Sequence, residues 1–69
     1  MSETNQPEID VLLKLPEVCH QAGFGKSAIY EMITAGTFPE PVKLGFASRW
    51  SQLEVQEWIT QQKAARKAA

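Results

Sequence analysis

The chain has 69 residues, a formal net charge of −1, one cysteine and one histidine. That length holds a single small domain and leaves no room for the multi-stranded parallel sheet that nucleotide hydrolysis needs. A lone Cys19 excludes an intramolecular disulfide, and with only His20 beside it the usual zinc-ligand spacings are missing.

Residues 1–10 are polar, contain Pro7 and carry −3 through Glu3, Glu8 and Asp10, which predicts a disordered acidic arm. Residues 11–50 and 51–69 each carry +1, so the body is weakly basic and compatible with DNA. "VLLKL" (11–15) is too short for a helix and is bounded by Pro16, so it predicts a short strand. Pro16 suits the first turn of a helix over "PEVCHQA", which Gly23 ends. A second helix is expected from Lys26 to Ala35, with Ile29, Met32 and Ile33 at helical spacing and Gly36 as its stop. "FPEP" (38–41) cannot be helical. "VKL", "GFAS" and "RW" then read as strand, turn and strand. Ser51 and Glu54 form a Ser-x-x-Glu capping box that opens a third helix, whose apolar face is Leu53, Val55, Trp58 and Ile59. The basic stretch at 63–69 has no apolar anchor and is expected to fray.

Two helices separated by a three-residue turn, then a hairpin, predict a winged helix-turn-helix over residues 11–62. The fold class is α+β, mainly α, with three helices and a small antiparallel β wing. Cys19 is small enough for a steep helix crossing. Gly23 suits the left-handed turn, and Ile29 locks the second helix, with Val18, Ala22, Phe24 and Met32 filling neighbouring buried positions. In this register Gly25, Lys26, Ser27, Tyr30, Glu31 and Thr34 form the outer side of a recognition helix. Its N-terminal amides and dipole attract phosphate, and its N-terminal side chains would reach base edges in the major groove. Lys43, Phe46, Ser48 and Arg49 would be the wing's contribution.

"LLKLPEVCHQAGFGKSAIYEMITAGTFPEPVKLG" and "RWSQLEVQEWI" resemble the AlpA-like prophage regulators and their excisionase relatives, the recombination directionality factors. These are similar to MerR-type winged helix-turn-helix proteins. The specific pieces are Gly-Phe-Gly-Lys-Ser-x-x-Tyr, "FPEPVKLG" and Arg49-Trp50. The resemblance implies sequence-specific binding of double-stranded DNA, with Lys26, Ser27, Tyr30, Lys43 and Arg49 at the matching contact positions. Glu31 and the uncharged tip "GFAS" stand where family members often carry basic residues. Both departures favour cooperative self-association on DNA, or help from a partner such as an integrase.

Competing readings of single features are weaker. Gly25-Lys26-Ser27 ends like a phosphate-binding nucleotide loop, but that loop needs a glycine where His20 stands and a strand where a helix is expected. Cys19 reads as a packing residue and His20 as a solvated one. Trp50 and Trp58 read as core rather than stacking platforms. Phe46 either folds back onto the core or wedges into a minor groove. Lys63, Arg66 and Lys67 are solvated, or they supply a further phosphate or integrase contact.

The leading expectation is an excisionase of a prophage or integrative element that binds and bends attachment-site DNA. The alternative is a transcriptional regulator of an integrase or other promoter, and a protein-interaction adaptor without DNA binding ranks below both. No enzymatic activity, cofactor, metal or small-molecule ligand is expected. No apolar run approaches the roughly 20 residues of a membrane span, and "MSETNQPE" lacks the features of a signal peptide. The expected location is therefore the bacterial cytoplasm, at the nucleoid when bound.

Overall fold

A computed structural model describes residues 9–66. Of the arm expected over residues 1–10, residues 1–8 lie outside the described residues, as does the tail from Lys67. Strand β1 (Leu12–Leu13) leads into α1 (Leu15–Ala22), α2 (Lys26–Ala35), β2 (Val42–Leu44), β3 (Ala47–Ser51) and α3 (Gln52–Ala65). The fold is therefore mainly helical α+β, as the sequence pattern predicts.

Helix α1 begins one residue before Pro16 and ends at Gly23, whose φ of +80° is left-handed. The Gly23 amide donates to the Cys19 carbonyl at 2.8 Å, the single bond of an αL cap. Helix α2 occupies the span expected of it. It closes with a Schellman motif: Thr37 N–H donates to Met32 O at 2.8 Å and Gly36 N–H to Ile33 O at 3.0 Å.

The three strands form an antiparallel sheet in the order β1-β3-β2. Only two residues, Gly45 and Phe46, connect β2 to β3. Gly45 has φ +63° while Phe46 has a negative φ, the pattern of a II′ hairpin turn. Ala47 and Ser48 therefore belong to the strand, not to the turn in which the sequence pattern put them. Tight pairing over three residue pairs, Val42–Arg49, Lys43–Ser48 and Leu44–Ala47, draws them in.

The core consists of Leu13, Val18, Ile29, Phe38, Trp50 and Val55. Both indoles pin the α2–β2 connection. Trp50 Nε1 donates to Pro39 O at 3.2 Å and Trp58 Nε1 to Thr37 O at 2.7 Å. These bonds hold Phe38 inside, with its ring 4.8 Å from Trp58. Phe24 differs from its expected burial. It is 45% exposed and meets Trp58 edge-on, because Phe38 occupies the interior beside that indole. Ala22 and Met32 are half-buried, and Leu53 is exposed rather than part of the apolar face of α3. Helix α3 runs on through Ala65, into the stretch expected to fray.

Candidate nucleic-acid interface

The first four amides of any helix have no partner within it, so what closes each N-terminus decides which one is open to an anion. In α3 three of them are closed. Gln52 N–H donates to Val11 O at 2.8 Å, Leu53 N–H to Asp10 Oδ1 at 3.0 Å and Glu54 N–H to Ser51 Oγ at 3.1 Å. Half of the expected capping box is thus present, and Asp10 supplies the second acceptor. The α2 terminus is different. Its cap is Gly25, which has no side chain to accept a hydrogen bond, and its first turn contains no acidic residue. The positive end of the α2 dipole faces solvent uncompensated, flanked by exposed Lys26 and Ser27.

Tyr30, Glu31 and Thr34 are exposed farther along the same helix, so all six residues expected on its outer side are in solvent. Tyr30 also leans on the sheet, its ring edge-on to Trp50 at 6.2 Å. Strand alternation then divides the wing. Lys43 and Ser48 are directly paired and share the Trp50 face, which Tyr30 adjoins. Lys43 Nζ donates to Ser48 Oγ at 2.9 Å, which fixes both on that face. Arg49 pairs with Val42 on the opposite face, where its Nη1 donates to the Ser48 carbonyl at 3.0 Å. Lys43 and Ser48 thus share the face that carries Trp50, against which Tyr30 packs, and Arg49 lies on the other face. Phe46 is fully exposed at the hairpin tip and does not fold back onto the core.

Two features escaped the reading of the sequence. Leu12, Val42 and Leu44 are all about half exposed, on the sheet face that carries Arg49; strict alternation through β2 and β3 would have indicated it. Asp10 fell within the expected arm, yet its carboxylate takes hydrogen bonds from Ser51, Leu53 and Val11. The Ser51 hydroxyl first, and then the Leu53 amide, hold its pKa below the ordinary carboxylate value. No local signal marks this role, because Ser51 lies 41 residues away.

Glu40, Glu54 and Glu57 line an open groove between the α2–β2 connection and α3, alongside Trp58. Their charge disfavours phosphate there. Cys19 is half-buried against the core and His20 is exposed. Among the described residues no three His, Cys, Asp or Glu side chains gather as a metal site. No helix among them is long and apolar enough to cross a membrane.

The family model for the prophage CP4-57 regulatory protein (AlpA) matches residues 11–63. An uncharacterized protein, ORF88 of Enterobacteria phage P4, is 43% identical over 56 residues, which cover 80% of this chain. The match spans 64% of that relative's length. No solved structure matches the chain.

Proposed function

The chain belongs to the AlpA family of prophage regulatory proteins, and from that premise we propose that it binds double-stranded DNA sequence-specifically. The observation that carries the proposal is the open α2 N-terminus with exposed Lys26 and Ser27, on a helix whose Tyr30 packs edge-on against Trp50 of the wing. In this reading α2 enters the major groove. Its free amides and Ser27 take a backbone phosphate, and Lys26 donates to a guanine edge or a second phosphate. Tyr30 bonds a phosphate or packs on a thymine methyl, and Thr34 extends the same face. Glu31 repels phosphate and accepts from a cytosine amino group, so it shapes specificity more than affinity. Lys43 and Ser48 follow the adjoining backbone, while Arg49 reaches phosphate from the far side of the hairpin. Phe46 is placed to wedge into the minor groove.

Two roles can follow from such binding. An excisionase occupies repeated sites in an attachment region, bends the DNA and directs an integrase toward excision. A promoter-bound regulator, favoured by the description of the matched family, controls transcription instead. Footprinting on the attachment regions and integrase promoter of the host element separates them. Protection confined to attachment DNA, with a bend, supports the first; protection confined to the promoter supports the second. No protection of either, and no gel shift on any duplex, overturns the DNA-binding reading.

A further inference from the structure

We infer that Asp10 is a positioning residue for DNA binding: it clamps the segment before β1 to the junction of the wing and α3, and so fixes the wing without touching DNA. Three contacts carry the inference. The Ser51 hydroxyl donates to Asp10 Oδ2 at 2.6 Å, and the Leu53 amide donates to Oδ1 at 3.0 Å. The Gln52 amide donates to the carbonyl of Val11, the next residue, at 2.8 Å. Ser51 is the last residue of β3 and the cap of α3, and its hydroxyl is buried. One carboxylate therefore holds the end of the wing strand and the start of the third helix together.

Strand β1 depends on this clamp. It pairs with β3 through only two residues, Leu12 with Ser51 and Leu13 with Trp50. So short a strand does not hold itself on a sheet edge; the Asp10 and Val11 bonds anchor its N-terminal end. Without the carboxylate, Ser51 loses its acceptor, Leu53 N–H loses its cap and β1 is free to peel away. β3 then keeps only β2 as a neighbour, and Leu13 no longer covers Trp50. Trp50 is the residue that aligns the wing with Tyr30 on α2. Loosening the clamp therefore moves Lys43 and Ser48 relative to the α2 N-terminus, while α1 and α2 keep their own caps.

The inference rests on the DNA-binding reading for its functional half, and two measurements keep the two separable. The first is hydrogen exchange of the free protein. Asp10→Ala should accelerate exchange at the amides of β2, β3, Gln52 and Leu53 while leaving α2 unchanged. Asp10→Asn, which keeps an acceptor for Leu53, should restore most of the protection. Unchanged exchange in the wing overturns the clamp whether or not DNA binds. The second measurement is binding to a duplex selected by the wild-type protein from a random-sequence pool, titrated against salt. Asp10→Ala should lower the log–log salt slope by about 1, as for a lost phosphate contact. Discrimination between the selected duplex and a shuffled one should persist, because α2 is intact. An unaltered slope, or loss of discrimination in parallel with affinity, overturns the positioning role. If the wild-type protein selects no duplex, the DNA-binding reading fails and the positioning role falls with it; exchange still judges the clamp.

Discussion

Lys26 lies one residue past the glycine cap of α2, exposed at the helix end whose dipole is uncompensated. Lys26→Ala should cost about 1–3 kcal/mol of binding on the preferred sequence and much less on a shuffled one, if the side chain reads a base. Competition titrations with both duplexes check this. Lys43 is expected to behave differently. Its ammonium is held by Ser48 on the wing, which the proposed mode lays along the DNA backbone, so Lys43→Ala should weaken all duplexes alike and lower the salt slope by about 1. Asp10 carries a pH signature. Its hydrogen-bond donors depress its pKa in the folded chain, so the unfolded chain takes up the proton first. The stabilisation is complete above the unfolded value of about 3.9 and is lost as pH falls through the folded one. Thermal melts of the wild-type protein and Asp10→Asn should therefore converge as pH drops below about 4 and diverge above it. Parallel curves across that window would contradict the assignment.

Short-range chemistry made some elements readable and long-range contacts hid others. The limits of α2, the αL glycine at 23 and the Ser51 cap follow from residues within a few positions of each other, so the sequence shows them directly. The exposure of Phe24 does not, since it depends on Phe38 reaching Trp58 from a segment that reads only as a proline-broken loop. The division of the wing into a Lys43–Ser48 face and an Arg49 face needed the register, which a turn two residues shorter than expected resets. The candidate contact residues were thus identifiable as exposed positions, but not which of them share a face. Two element-level outcomes follow. Gly23→Ala meets no neighbour within 4 Å, so its cost is the left-handed backbone alone, about 1–2 kcal/mol in denaturant melts. Ser51→Ala removes the Glu54 cap and the Asp10 contact together, and should cost at least the roughly 1 kcal/mol of an ordinary N-cap.

A domain of this size has little stability to spare, about 3–5 kcal/mol from its core. Trp50 is completely buried, ties β3 to Pro39 and supports Tyr30. Removing such a side chain costs about 3–5 kcal/mol, so Trp50→Ala should leave the chain largely unfolded at room temperature by circular dichroism. The molecule is also electrically divided. In the proposed mode the open α2 N-terminus and the Lys43 face of the wing meet DNA, whereas Glu40, Glu54 and Glu57 line a groove between the α2–β2 connection and α3. In the proposed mode, such an asymmetry would let a chain of net charge −1 engage DNA through one side only. Salt dependence of binding to a duplex selected by the protein tests this most directly. Log affinity is expected to fall linearly with log salt, with a slope near −0.9 for each phosphate engaged and a reduction of about 1 on Lys43→Ala. A flat salt response, or no duplex retained at low salt, would contradict it.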